Sequence, residues 1–548
     1  MDSPIAERQN TKSLISEDEH EARVERECME IFKVHPEEYP KFFRLLALGS
    51  SISFIYSTLR DGKDTIVMAR MMPASIPYLK STLVTASTLL FGVFFQFLMA
   101  RGVNIKKIML YGNLAFGVYF TLYSLLISRY SESIEPYKFL IMDMASDSKF
   151  ALAGLEWLEG LFMLYNFWTG SLFYMTSELW GNAILSLLFF ACCNEVCQLR
   201  QALRFYPLII MAMNVALISS GVLGWVVAEL SGNEVEYIFT FYKYFFIFIA
   251  CMTAGNYLIY KNLMEKIMPY PIYIADTSAP KKAGKVKMGV VSGVVAAFSN
   301  PVILCLSISA LSYGIVTNLT EGAYNQSIVA AAEATNTPRG KETMGTKALQ
   351  QMIIGTGTIL ALISPLKGFI QKYGWLSLGM VSPVLSFIGG VSFLAIVGID
   401  VQLANNNATG FLAVVGRSVG KIFLSNDVAT RQVFEKRVGM VVTCMIKILK
   451  YAAFDFCKEA AAMKIPKEHR SRFKGVYDGV FGKLGKSSAS LIQIGLMKLF
   501  KTKDIRESFT ITASGVMLVT IIWTYASFYL GVQYNKAVRE NKFFNITG

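Results

Sequence analysis

The sequence contains little charge for its length. Only 17% of its 548 residues are charged, whereas a soluble domain carries about 25% charged residues. A water-soluble chain of this length would divide into several domains with polar surfaces, but here the apolar residues occur in long blocks. The composition therefore predicts a membrane protein. It also argues against nucleic-acid binding, because the sequence contains no basic soluble domain.

Histidine is nearly absent, and cysteine is sparse. The chain has three histidines and eight cysteines. Cys192, Cys193 and Cys197 cluster within one apolar stretch, but no histidine lies near them in sequence. Buried cysteine packs as a small apolar side chain, and the spacing suggests no disulfide framework. We therefore expect neither a metal site nor a cofactor.

The first 40 residues lack the apolar core of a signal peptide. They contain many acidic residues, among them Glu17, Asp18 and Glu19, whereas transit peptides for plastids and mitochondria are poor in acids. Residues 1–40 are therefore predicted to form a polar cytosolic tail. Import into an organelle by that route is disfavoured.

Apolar blocks long enough to cross a bilayer occur twelve times. A spanning helix takes about 20 apolar residues, because the hydrocarbon core is about 30 Å thick and each residue rises about 1.5 Å. The fourth block is long enough for one tilted helix or two short ones, and residues 403–424 are predicted to be interfacial. The predicted spans are residues 43–66, 76–99, 107–128, 160–198, 205–228, 239–262, 300–325, 347–371, 375–397, 433–463, 475–500 and 508–532.

Lysine and arginine in the connections predict the orientation. Basic residues recur on the side of the amino terminus, whereas the connections 129–150 and 229–238 hold more acids; the loop with Lys501, Lys503 and Arg506 departs from this bias. Both termini are therefore predicted to be cytosolic. The formal net charge of +14 is explained either by this bias or by attraction of anionic ligands.

The two halves of the chain resemble each other. Arg204 and Phe205 open the fifth span, and Arg472 and Phe473 precede the eleventh; this and two further matches have offsets near 264–268 residues. A constant offset indicates a parallel repeat of six helices, which is the plan of major-facilitator-type transporters. The predicted fold is an all-α polytopic membrane protein with about 12 transmembrane helices in two pseudo-symmetric halves. Its predicted parts are the tail 1–40, the halves 41–262 and 300–535, the basic linker 263–299 and the tail 536–548.

Ionisable residues inside spans are costly and usually face a cavity. Arg60 and Lys63 lie three positions apart at the end of the first span, so they share a helix face. They form either a phosphate-binding patch or an ordinary charged helix end in water. Glu178 lies within apolar sequence, which disfavours an interfacial position, and a basic residue of the first span could be its partner. Glu321 lies near the position equivalent to Lys63, so we expect the two to pair across a central cavity.

The tenth and eleventh spans contain a further group of charges and aromatic residues, which suits phosphates and a purine. Some of these lysines could instead extend to the membrane surface, an alternative that applies best to Lys458. The residues concerned are Lys447, Lys450, Tyr451, Phe454, Asp455, Lys458, Glu459, Lys483 and Lys486.

Gly485-Lys486-Ser487 does not belong to a P-loop. That motif requires glycine at position 480, which is Val480, and a preceding strand. An ATP-driven pump of the P-loop type is therefore not expected.

Several of these charged stretches, taken in order, resemble the nucleotide transporter (ATP/ADP translocase) family of obligate intracellular parasites and plastids. The resemblance extends over roughly residues 40–535. The matching pieces are Tyr56–Asp64, Ser177–Trp180, Tyr313–Gly322, Lys450–Glu459, Ile465–Pro466 and Gly482–Ser487.

The resemblance implies a twelve-helix major-facilitator-like fold, alternating access and a role in transport for Lys63, Glu178, Glu321, Lys486 and Lys458. Family members often have arginine where Lys483 stands and glycine where Ser488 stands, and residues 323–347 also diverge. These departures bear on the choice of nucleotide.

The chain is therefore expected to be an ATP/ADP antiporter that imports host ATP in exchange for ADP. It is not expected to be an enzyme. Its expected partners are ATP, ADP, other nucleotides and the lipid bilayer, with no nucleic acid, and it is expected to act as a monomer in the plasma membrane of an intracellular parasite. One alternative is a proton-coupled nucleotide symporter with Glu178 or Glu321 as proton carrier. Another is a membrane-embedded enzyme, for which the sequence offers no catalytic constellation.

Overall fold

The structure is a computed structural model. It describes residues 34–127, 133–135, 155–197, 199–232, 235–269, 298–364, 374–404, 427–540 and 542–544. Most of the predicted tail 1–40, of the linker 263–299 and of the interfacial segment 403–424 lies outside these residues, as do the connection 136–154 and the end of the chain.

The first half of the chain contains six long helices, several of which are built from consecutive segments. They are α1 (Tyr39–Arg70), α2 (Ser75–Leu79, the π-helical Lys80–Val84 and Thr85–Ala100), α3 (Ile105–Leu122 and Tyr123–Ile127), α4 (Glu156–Asn166, Trp168–Trp180, the π-helical Gly181–Phe189 and Phe190–Val196), α5 (Leu199–Leu230) and α6 (Val235–Asn262 and Leu263–Ile267).

The second half repeats this arrangement. Its helices are α7 (Pro301–Ala334), α8 (Arg339–Ile363), α9 (Trp375–Gly379 and Val381–Ala404), α10 (Val428–Leu449, the π-helical Lys450–Phe454 and Asp455–Met463), α11 (Lys467–Lys474, the π-helical Gly475–Phe481 and Gly482–Phe500) and α12 (Phe509–Arg539, preceded by the 3-10 turn Ile505–Ser508).

Local sequence explains several helix starts. Asn104, Asn300 and Asp427 each accept a hydrogen bond from a backbone N–H of the first turn, at the starts of α3, α7 and α10. Such capping satisfies donors that a helix leaves unpaired. At α7 the cap is followed by Pro301, whose fixed φ suits the first helical position.

Each predicted span overlaps one observed helix, which confirms the helical, major-facilitator-like fold. Eight of the described helices are long and apolar enough to cross a membrane. The eighth prediction was misplaced at both ends, because α8 starts at Arg339 and ends at Ile363 instead of covering 347–371. Its first turns are too polar to resemble a span, and Pro365 disfavours helix at the residue before it. The fourth span is one succession of helical segments, with a break in the helix at Phe167.

Because successive helices alternate in direction, the bundle has two ends. We call the end where α1 begins and α12 finishes the terminal end, and the other the loop end. Near the terminal end each half has its own core: Phe42 and Phe205 belong to the first half, and Ile303 and Tyr477 to the second.

At the loop end, one apolar cluster joins the two halves. Met68, Tyr78 and Met163 of the first half pack with Met497 of the second. Beside them, Nζ of Lys503 lies 2.5 Å from Oε1 of Glu159, and both side chains are almost fully buried, at 1% and 0% exposure. The helices α5 and α8 add a long contact, in which Gly221 lies against Ala348 and Gly355 against Ile218. The halves are therefore closed upon each other at the loop end.

Candidate functional site

Lys63 on α1 lies in an ion pair within its own half. Its Nζ is 2.6 Å from Oδ1 of Asp64 and 3.1 Å from Oε1 of Glu178 on α4. The ammonium also lies 4.0 Å from the centre of the Tyr174 ring. Two carboxylates and an aromatic face thus stabilise this buried charge.

Asp64 also connects the two halves. Its Oδ2 lies 3.8 Å from Nζ of Lys347 on α8, and this lysine donates a 2.7 Å hydrogen bond to Oδ1 of Asn325 on α7. Lys347 is only 4% exposed. Nothing in the sequence singled out Lys347, because residue 347 stood at the predicted edge of a span, where a lysine is ordinary.

Glu321 on α7 pairs with different lysines from the one expected. Its Oε1 accepts a 2.8 Å hydrogen bond from Lys447 on α10, and its Oε2 lies 3.8 Å from Nζ of Lys80 on α2. Lys80 also donates to Oδ1 of Asn318 at 3.0 Å. The predicted Lys63–Glu321 pair was therefore wrong in this conformation. Lys63 is neutralised by carboxylates of its own half, and Lys80 supplies the cation that reaches across to Glu321.

Four further side chains lie between the halves, close to these ion pairs, and we call the space around them the central cavity. Arg60, Lys450, Tyr451 and Lys486 are surrounded by protein, yet each keeps solvent-exposed surface, which for Tyr451 reaches 47%. Exposure in the interior of a bundle means that these side chains face water inside it. Lys486 is close enough to Glu178 and Lys450 to interact electrostatically.

Two of these cations, Arg60 and Lys486, form no ion pair with a carboxylate among the described residues. Arg60 lies over the Tyr56 ring, 5.6 Å from its centre. The groups around the central cavity are mainly basic, with seven cations and four carboxylates, so an anion would find net positive charge there. These groups are Arg60, Lys63, Lys80, Lys347, Lys447, Lys450, Lys486, Asp61, Asp64, Glu178 and Glu321.

Lys458 and Asp455 belong to a neighbouring cluster that joins α10 to α11. Nζ of Lys458 is 2.9 Å from Oδ1 of Asp455 and 2.6 Å from Oδ1 of Asp478. Lys450 lies 3.9 Å from the other oxygen of Asp455. Lys458 is thus held between two carboxylates, and its contacts differ from those of a lysine that extends to the membrane surface.

An aromatic group adjoins the basic residues. Tyr313 on α7 stacks on Phe454, with ring centres 5.4 Å apart and an angle of 17° between the planes, and Trp523 packs edge-on against both. Lys450 lies 5.7 Å from the centre of the Tyr313 ring. A flat aromatic surface beside cations can accept a purine next to its phosphates.

Three cavity residues lie on π-helical turns, which the sequence did not reveal. Lys80 begins the π-helical segment of α2, and Lys450 and Tyr451 begin that of α10. Such turns often occur at functional sites because the extra residue redirects side chains. The helix α4, which is the fourth helix of the first half as α10 is of the second, also has a π-helical segment. This segment directly follows Trp180.

Comparisons with known proteins agree with this architecture. The family described as TLC ATP/ADP transporter matches residues 17–534. ADP,ATP carrier protein 1 of Paranosema grylli is 30% identical over 93% of this chain and 91% of its own length. ADP,ATP carrier protein 1 of Rickettsia typhi is 24% identical over 93% and 97%. A crystal structure of the nucleoside transporter NupG has a similar fold, with a TM-score of 0.53, 12% identity, and coverage of 89% of this chain and 99% of NupG.

Proposed function

This chain belongs to the TLC ATP/ADP transporter family, and from that premise we propose that it exchanges ATP for ADP across a membrane by alternating access. The observation that carries the proposal is the basic central cavity, in which Arg60 and Lys486 have no carboxylate partner among the described residues. The names of the relatives, ADP,ATP carrier proteins of microsporidia, Chlamydia and Rickettsia, support the choice of substrates.

The phosphates bind first to the free cations. A charge-assisted hydrogen bond contributes about 1.5–3 kcal/mol, and Arg60 and Lys486 can donate to an anion without first giving up a carboxylate. Lys63 and Lys447 are held by Glu178 and Glu321, so a phosphate must compete with those carboxylates. The phosphates therefore displace Glu178 and Glu321 from their lysines. This displacement couples nucleotide binding to the movement of the two halves.

Obligatory exchange follows from the excess of positive charge. Closing the empty cavity would bury unpaired cations, which is strongly unfavourable. A bound ATP or ADP neutralises them, so the halves can close around it and open at the other end. The cross-half pairs Asp64–Lys347 and Lys80–Glu321 hold the loop end closed until the nucleotide redistributes the charges.

The base occupies the aromatic side of the cavity. Tyr451 is the most exposed aromatic side chain among the cavity residues named above, and the Tyr313–Phe454 stack lies beside Lys450. Asp455 and Lys458 fix the position of Lys450 and the π-helical turn, and so act on the substrate through it.

Proton-coupled symport is the second candidate. It requires Glu178 or Glu321 to take up a proton during the cycle. Each forms an ion pair with a lysine, at 3.1 Å and 2.8 Å respectively, so uptake of a proton would break a buried ion pair. The ion pairs therefore favour exchange over proton coupling. The relatives are named as carriers, so we assign no enzymatic activity.

We place the protein in the plasma membrane of an intracellular parasite, with both termini cytosolic and with residues 41–262 and 300–535 as its two halves. The relatives from intracellular organisms and the lysine and arginine bias support this placement. On this assignment the central cavity is closed towards the outside and accessible from the cytosol. A tag at residue 280 should then be protected from a membrane-impermeant label added to intact cells.

The decisive experiment is uptake of labelled ATP into vesicles that contain the purified protein. Vesicles are preloaded with ADP, with phosphate or with neither, and a pH gradient is imposed or collapsed. Exchange predicts uptake that depends strongly on internal ADP and little on the gradient. Equal uptake into empty vesicles driven by protons would instead establish symport.

A further inference from the structure

A second cavity lies on the side of the bundle at the loop end, away from the central cavity. It encloses about 290 Å³ between α5, α8 and α10. We call it the side pocket. It is lined by Trp225, Ala228, Glu229, Lys341, Glu342, Gly345, Thr346, Leu349, Lys436, Arg437 and Met440.

The side pocket contains five charged side chains. Lys436 forms an ion pair with Glu342, which neutralises both. By contrast, Lys341, Arg437 and Glu229 form no ion pair with any residue that the structure describes. Within the described part of the chain, the side pocket thus presents two unpaired cations and one unpaired carboxylate, a pattern that matches a group carrying both a phosphate and an ammonium.

Exposed apolar side chains adjoin the side pocket on α5 and α8. Val222, Trp225 and Glu229 are three and four positions apart on α5, and Lys341, Gly345, Leu349 and Ile353 are four positions apart on α8. Trp225 is 47% exposed and Leu349 40%, and Val222 and Ile353 are also exposed. Glu229 and Lys341 lie near the ends of their helices and the apolar residues lie further along the same helices, whereas Arg437 lies in the third turn of α10.

We propose that the side pocket binds a phospholipid headgroup with a primary amine. The phosphate contacts Lys341 and Arg437, the ammonium contacts Glu229, and an acyl chain lies along Val222, Trp225, Leu349 and Ile353. The volume is just below the 300–1,000 Å³ of typical small-molecule pockets, so it suits a headgroup better than a whole nucleotide. The exposed apolar side chains beside the charges favour a lipid over free phosphate.

The position of this lipid gives it an effect on transport. Glu229 belongs to the first half of the chain, and Lys341 and Arg437 belong to the second. A lipid bound to all three bridges the halves at the end where they are in contact. Its binding energy therefore stabilises the conformation closed at the loop end, in proportion to its preference for that state.

The test is native mass spectrometry of the purified full-length protein with dioctanoyl phosphatidylethanolamine, dioctanoyl phosphatidylglycerol or inorganic phosphate. Lys341→Gln and Arg437→Gln should each weaken binding of both lipids about tenfold, because each removes one charge-assisted contact. Glu229→Gln should weaken only the phosphatidylethanolamine complex. Lys498→Gln, an exposed cation at the same end, is the matched control and should change neither. Each variant must first elute as a monodisperse species.

The binding results distinguish a phospholipid from a soluble phosphate compound as the ligand. If inorganic phosphate competes with the lipids at similar concentrations, a soluble phosphate compound is the ligand and the lipid assignment is overturned. If Lys341→Gln and Arg437→Gln bind both lipids like the unmodified protein, the side pocket is not the site. Because the two cations are tested separately, misfolding of one variant leaves the other to decide. Nucleotide exchange is not needed for this readout, so failure here leaves the proposed transport function untouched.

Discussion

The two ends of the molecule are held together by different means. At the loop end, the methionine-rich cluster and the buried Lys503–Glu159 pair join the halves. At the terminal end, Phe42 and Phe205 lie in a cluster of the first half and Ile303 and Tyr477 in a cluster of the second, and the first cluster includes a residue of the other half only near the loop end, Met344. The difference shows how the structure can face one side of a membrane: apolar packing and a buried ion pair close the loop end, whereas no buried apolar cluster of the described residues joins the halves at the terminal end.

Disrupting the contacts that close the loop end should change the stability of the protein most strongly. Lys503→Gln leaves Glu159 as a buried charge without its lysine, and removing one partner of a buried pair costs about 3–5 kcal/mol. We expect a marked drop in thermal stability, measured by unfolding of the purified protein with and without ADP.

A second substitution sharpens this result. Adding Glu159→Gln to Lys503→Gln removes the leftover charge, so the double variant should be more stable than the single one. Lys498 is exposed at the same end, so Lys498→Gln should change the free energy of unfolding by less than about 0.5 kcal/mol. If the double variant is no more stable than Lys503→Gln, the buried ion pair is not what holds this end closed.

The next effect concerns the free cations of the central cavity. Lys486→Gln and Arg60→Gln should each lower ATP affinity about ten- to a hundredfold, because each removes a charge-assisted hydrogen bond of about 1.5–3 kcal/mol. Equilibrium binding of labelled ATP measures this, with Lys498→Gln as control.

Lys63→Gln should differ from these two. Lys63 already has two carboxylate partners, so its loss should lower affinity less and slow exchange more, as seen in uptake by ADP-loaded vesicles. Lys63→Arg should restore exchange only in part, since a planar fork does not replace a point charge. Equal losses of affinity in Lys63→Gln and Lys486→Gln would mean that the ion pairs do not set the order of binding.

Removing the carboxylate of Glu321, unlike removing a cation, should not lower the affinity for ATP. Glu321→Gln frees Lys447 and Lys80 from a competing anion, so ATP should bind at least as tightly as to the unmodified protein. Exchange should slow, because the cross-half contact with Lys80 no longer stabilises the closed loop end. A large loss of ATP binding in Glu321→Gln would show that this carboxylate contacts the nucleotide directly.

The smallest effect is expected at the aromatic stack. Tyr313→Ala should weaken ATP binding about three- to tenfold, since aromatic stacking contributes about 0.5–1.5 kcal/mol. Tyr313→Phe keeps the ring and should bind ATP normally. If Tyr313→Phe weakens binding as much as Tyr313→Ala, the hydroxyl and not the stacking surface recognises the base.

The spans could be predicted because twenty apolar residues have few other uses than crossing a bilayer. The same reasoning drew attention to charges within apolar sequence, such as Glu178, whereas the resemblance to the nucleotide transporter family singled out Lys63, Glu178, Glu321 and Lys486. Lys80 and Lys347 were missed because each lies at the edge of a predicted span. Their burial results from the packing of α2 and α8 against the other half, which no local pattern encodes.

The pairing of these charges could not be predicted either. Lys63 and Glu321 lie at near-equivalent places in the repeat, which suggested a mutual contact. The structure gives each a different partner, because Glu178 is closer to Lys63 and Lys80 extends from a π-helical turn towards Glu321. Neither π-helical turns nor contacts between distant helices follow from helical periodicity.

We propose that the excess positive charge of the central cavity selects nucleotides by their phosphates. Displacement of labelled ATP from the purified protein by ADP or by adenosine tests this selection. We predict that ADP displaces ATP and adenosine does not, and that Arg60→Gln and Lys486→Gln weaken ATP binding while Lys498→Gln does not. Displacement by adenosine as effective as by ADP, together with normal ATP binding in both cavity variants, would contradict it.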